Sequence, residues 1–73
     1  MQNLKQLRKV GVLSMYDIVI YKYDSGCACY THTSGKVNNV VYTYRQMYKK
    51  DHSVRMIQIY DSTSGELVIQ FGA

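Results

Sequence analysis

The chain has no proline and no tryptophan, only two cysteines, and no run of roughly 18 apolar residues. Each absence excludes something. Without proline, nothing forbids continuous hydrogen-bonded strands. Without a long apolar run, no transmembrane helix is expected, and therefore no membrane role. The stretch Met1 to Met15 carries Lys5, Arg8 and Lys9 beside a short apolar patch of Val10, Val12 and Leu13. It lacks the apolar core and small-residue cleavage site of a signal peptide. With two cysteines and no export signal, a reducing cytoplasm is the expected location.

Catalytic chemistry is also short of parts. The five carboxylates are scattered. Asp24, Asp51 and Asp61 fall in turn-forming stretches, where Asp bonds its own backbone. Most serines sit in turns as well, and no glycine-rich phosphate loop is present. Cys29 and His52 are one nucleophile–base pairing the composition permits, but 73 residues leave little room for a desolvated pocket. Cys27-x-Cys29-x-x-His32 is the one cluster of metal-ligand types. On a strand the two thiols share a face while His32 points to the other, and tetrahedral sites draw their cysteines from turns. Two semi-buried thiols are expected there instead of a metal site. The chain is accordingly expected to be no enzyme, with no catalytic residue, cofactor, metal or small-molecule substrate.

What is present suits one small domain spanning 1–73, with a basic, partly helical segment at 1–14 and a β-rich core over 15–73. Apolar residues make up 47% of the chain, too many for a disordered one. Nine Lys and Arg against five Asp and Glu give a net charge of +4. The excess is uneven. It gathers in the N-terminal segment and around Arg45, Lys49, Lys50 and Arg55, a distribution that forms a positive patch.

Turn signals at Asp24-Ser25-Gly26, Ser34-Gly35-Lys36, Lys49–His52 and Asp61–Gly65 recur at about the 8–12-residue spacing of a β-meander. The clearest element is the last hairpin. Pairing Tyr60 with Glu66 sets Ile59 opposite Leu67 and Ile57 opposite Ile69, with Phe71 on the same side. That face, Ile57, Ile59, Leu67, Ile69 and Phe71, is expected to be buried, contributing on the order of 10 kcal/mol before entropy. A first hairpin is expected from Tyr16–Tyr23 with Cys27–Thr33, its first strand apolar on both sides. Ahead of it, Leu4, Leu7 and Val10 give about two turns of a helix ending near Gly11.

Val40–Met47 decides the fold and reads two ways. As a strand, Tyr44 faces Ile57 and Tyr42 faces Ile59, extending the apolar face. As a helix, Val37, Val40, Val41, Tyr44, Met47 and Tyr48 form a stripe at i, i+3, i+4, i+7 spacing. Val-Val-Tyr-Thr-Tyr is β-branched and aromatic, which favours the strand. The fold class expected is therefore mainly β: five short strands in a meander tending to a small barrel or curled antiparallel sheet, after a short N-terminal helix. The alternative is an α+β hairpin–helix–hairpin with the helix at 36–49.

Eight tyrosines are the unusual abundance. Tyr42 and Tyr44 are expected in the core, while Tyr21, Tyr23, Tyr30 and Tyr48 line an exposed sheet face interleaved with Lys22, Arg45, Lys49 and Lys50. Tyrosine and arginine concentrate at protein interfaces. Aromatic faces beside cations also serve single-stranded nucleic acid. The expected function is a small non-catalytic accessory or regulatory protein, of inhibitor or adaptor type, that binds a protein partner, itself included. A basic nucleic-acid-binding domain is the alternative. The partner-binding residues expected are Tyr21, Tyr23, Arg45, Tyr48, Lys49, Lys50 and Arg55, with Lys5, Arg8 and Lys9 adding charge.

Overall fold

A computed structural model of the chain describes residues 14–24 and 26–73. The helix expected around Leu4–Val10, with Lys5, Arg8 and Lys9, lies outside the described residues. The elements run β1 (Ser14–Lys22), β2 (Cys29–Gly35), α1 (Val37–Lys50), β3 (Val54–Asp61) and β4 (Leu67–Gly72). The strands form one open antiparallel sheet in the order β2-β1-β3-β4. The protein is mainly β, as expected. The meander of five strands, with its closure toward a barrel, is replaced by hairpin, helix, hairpin.

Pairing explains why. Ile18 stands opposite Ile59 and Ile20 opposite Ile57, so four isoleucines form a square at the centre of one face. Ile18, Ile57 and Ile59 are fully buried, each side chain contributing about 1.5–3 kcal/mol on burial. A square of this kind needs a lid, and residues 40–47 provide it as a helix instead of lengthening the sheet. Val40 is buried, and Val41, Tyr44 and Tyr48 pack beside it on the core. Burial of the stripe outweighs the β-propensity of Val-Val-Tyr-Thr-Tyr, an effect that local preference does not register. Inside the helix, the Thr43 hydroxyl donates to the Asn39 carbonyl at 2.9 Å. Lys49 and Lys50 occupy the last turn, where the helix dipole favours cations. Tyr42, expected in the core, is 64% exposed on the helix's far side, and Tyr44 is half-buried.

The last hairpin exists, with a corrected register. Ile57 pairs with Phe71 and Ile59 with Ile69, two positions from the expected pairing, and a β-bulge then sets Tyr60 opposite Leu67. A two-residue slip keeps side chains on their faces, which is why the apolar pattern alone does not reveal it. The bulge removes Leu67 from the expected buried face and leaves it 50% exposed. Ile69 and Phe71 remain, half-buried, at the margin of the core. Within the connecting loop, Asp61 Oδ1 accepts from the N–H groups of Thr63 and Ser64, and Gly65 takes a φ of +76°.

The helix crosses the sheet diagonally. Its start overhangs β2, where Val40 lies against Gly35. Its end reaches β4, where the Tyr48 ring stacks on Phe71 with centroids 6.1 Å apart. The corner of β2 at Cys29 is left uncovered. Cys27 precedes the strand and Cys29 begins it, and both are exposed instead of semi-buried.

Candidate functional site

With one helix on one face, the other face of the sheet has no layer over it among the described residues. Alternation along the strands assigns its members. Met15, Asp17, Val19 and Tyr21 come from β1, Tyr30 and His32 from β2, Met56, Gln58 and Tyr60 from β3, and Gln70 from β4. Rows run across the sheet: Tyr30–Val19–Gln58–Gln70, and His32–Asp17–Tyr60–Leu67. Val19 is only 7% exposed although no element covers it. Its larger neighbours shelter it.

The polar groups of this face are tied together. Tyr60 Oη donates to Gln58 Oε1 at 3.0 Å, with Tyr21 Oη at 3.5 Å from the same oxygen. Gln58 Nε2 donates to Gln70 Oε1 at 3.0 Å, and Gln70 Nε2 to the Gly72 carbonyl at 3.1 Å. This ladder fixes two amides and two phenol rings at defined positions, so less side-chain entropy would be lost in any contact made there. Beside it, Asp17, Val19, Tyr30, His32, Tyr60 and Gly65 line an open depression of about 430 Å³.

Asp17 and His32, at one corner of that depression, stand beside Ser62 of the β3–β4 loop, and together they are the residue types of a hydrolytic triad. His32 Nδ1 lies 2.6 Å from Asp17 Oδ1, and Ser62 Oγ 3.4 Å from the same Nδ1. A proton relay needs the carboxylate on one ring nitrogen and the nucleophile on the other. Here both converge on Nδ1, so the group is a hydrogen-bonded clasp between β1, β2 and the β3–β4 loop. The bond to His32, then that to Ser62, holds the Asp17 carboxyl below its ordinary 3.8.

The expected binding residues divide into two places. A β-bulge between Tyr21 and Lys22 makes Arg55 the extra residue of β3. It turns the Arg55 guanidinium over the Tyr21 ring, 5.4 Å from its centroid, and Nη1 donates to the Ala73 carbonyl at 2.9 Å. Tyr21 and Arg55 thus close one end of the outer face. Tyr23, 70% exposed, follows, its N–H donating to the Ser53 carbonyl. Arg45 and Tyr48 belong to the other side of the sheet. Tyr48 packs on the core, and Arg45 lies 5.8 Å from the Phe71 centroid. Lys49 and Lys50 are exposed at the helix end, near the turn where Asp51 accepts from the Ser53 hydroxyl and N–H. These bonds lower the Asp51 carboxyl, with the charges of Lys22 and His52 assisting. The single tyrosine–lysine face expected from sequence is therefore two surfaces, a nearly uncharged aromatic sheet face and a basic end.

Met15, Val19, Gln58, Tyr60 and Gln70 were not among the expected binding residues. Period-2 alternation already places Gln58, Tyr60 and Gln70 together on the reverse of the last hairpin. That β1 lies beside them depends on a pairing no local pattern encodes. Cys27, Cys29 and His32 do not converge, and no group of three or more His, Cys, Asp or Glu among the described residues could hold a metal ion. No helix among the described residues is long and apolar enough to cross a membrane. No protein-family model, no curated protein and no solved structure matches the chain.

Proposed function

We propose that this is a non-catalytic accessory or regulatory domain that acts by binding a protein through the outer face of its sheet. The observation that supports it is the uncovered face itself, where tyrosine, methionine and valine surround amides already locked by hydrogen bonds. Aromatic and methionine side chains with a polar rim are the composition of protein interfaces. A face this poor in cations lacks the phosphate contacts that give nucleic-acid binders their affinity. Among its described residues, Arg55 stands at one end and Asp17 carries the opposite charge.

The basic end supports the second reading, binding of single-stranded nucleic acid by Arg55, Lys49 and Lys50 with Tyr21 as a stacking platform. One experiment separates the two. The full chain is used as bait in its native host, with and without nuclease, beside a Met15→Ala/Tyr30→Ala variant. Tyr30 is 77% exposed and Met15 38%, so the variant keeps the core. A protein retained by the wild type after nuclease and lost by the variant supports the proposal. Retention that disappears with nuclease, or that ignores the variant, overturns it.

A further inference from the structure

The sheet has two edges, and they are unequally defended. Natural edge strands avoid pairing with another chain by carrying charge, proline or a covering element. β4, Leu67-Val68-Ile69-Gln70-Phe71-Gly72, has no charged residue and no proline, and its one bulge lies at the start. Leu67 is 50% exposed and Val68 39%, while Ile69 and Phe71 are half-buried at the margin of the core. β2 also lacks Lys, Asp and Glu, but its side chains are mostly polar and the start of α1 overhangs Thr33–Gly35. Pairing at β2 would gain little burial. Pairing at β4 continues an apolar layer that now stops short.

We propose that β4 pairs antiparallel with β4 of a second copy of this chain, joining two sheets into one continuous sheet about a two-fold axis. Residues directly opposite in an antiparallel pair lie on the same face, which restricts the register. Centring on Ile69 sets this residue against its twin and extends the inner apolar layer, with Val68 opposite Gln70 on the outer side; Leu67, turned outward by the bulge, alone breaks the match, opposite Phe71. The same register brings Glu66 to the Gly72 end of the other strand. That corner holds Arg55, bonded to the Ala73 carbonyl. Each end of the seam then brings an acid toward a cation, and the residues of β4 bring no like charges together. A two-fold contact closes on itself, whereas a β2-to-β4 contact would propagate into a filament. The pairing is independent of a partner on the outer face, which it would double in width.

Sedimentation of the full chain over a concentration series, with amide hydrogen exchange at its two ends, tests this. The expected result is a monomer–dimer equilibrium in which amides of β4 gain protection as dimer forms. Val68→Lys is expected to leave the monomer folded and abolish the dimer. Glu66→Lys and Arg55→Glu are each expected to weaken it roughly two- to fivefold, and their combination to restore it. A chain that stays monomeric up to about 1 mM overturns the proposal. So does a dimer that survives Val68→Lys, or protection gained at β2 instead. If Val68→Lys fails to fold, the concentration dependence of β4 protection in the wild type decides. A dimer with no outer-face partner contradicts the binding reading alone, and a monomer that captures a partner contradicts this one alone.

Discussion

At the scale of single residues, hydrogen bonds to two carboxylates give the protein a defined response to acid. Asp17 and Asp51 have folded values below the ordinary carboxylate value, the first through His32 and Ser62, the second through Ser53. A depressed folded value contributes stability that is complete above the unfolded value and lost as pH falls through the folded one. The loss therefore begins below about pH 4. Melting temperature followed from pH 6 to pH 2 is expected to fall less steeply for Asp17→Asn than for the wild type. Ser53→Ala is expected to return Asp51 toward its ordinary value, read by the carboxyl carbon shift in an NMR titration. Among the described glycines, Gly72 is the least open to change. Its φ is +84°, and a Cβ there would collide with the Arg55 carbonyl oxygen and lie 2.9 Å from the Tyr48 hydroxyl. Gly72→Ala is expected to cost about 1–3 kcal/mol, measured by urea unfolding.

At the scale of elements, the helix is where sequence and structure part. The stripe Val40, Val41, Tyr44 and Tyr48 was visible as a pattern, yet Val40, Tyr42 and Tyr44 alternate well enough to make a strand. What separates the two is the isoleucine square, which forms only when β1 meets β3. Tyr42 separates helix from strand in solution, with Val40, buried in either arrangement, as the control. Val40→Ala is expected to lower stability by about 2 kcal/mol, since it empties the one buried site on the helix. Tyr42→Ala is expected to be neutral or slightly stabilising, because an exposed tyrosine gives way to the best helix former. Both can be read from urea midpoints at constant slope. The last hairpin was legible in its existence and in its isoleucine face. Its register was not, because a shift of two residues preserves the alternation and the bulge that exposes Leu67 has no marker such as glycine. Residue type alone singles out Tyr21 and Arg55. Their contact arises from a bulge, whereas Arg45 and Tyr48 were drawn to the other side by Phe71.

At the scale of the whole molecule, among the described residues, Lys49 and Lys50 at the helix end lie apart from the aromatic outer face of the sheet. Lys49→Gln combined with Lys50→Gln is expected to reduce retention on immobilised oligonucleotide and to flatten its salt dependence, leaving capture of a protein partner on the outer face unchanged. The strand order carries a further consequence, for the path by which the chain folds. Each hairpin pairs neighbours in sequence, but β1 and β3 join partners as distant as Tyr16 and Asp61, and all of α1 lies between them. Closing that loop costs entropy before any isoleucine is buried. The meeting of β1 with β3 is therefore expected to be the slow step. Ile18→Val and Ile59→Val are expected to slow folding more than they speed unfolding, whereas Ile69→Val acts chiefly on unfolding. Until that meeting, β1 and β3 each present an unpaired edge, so aggregation is expected to grow with concentration while the chain folds.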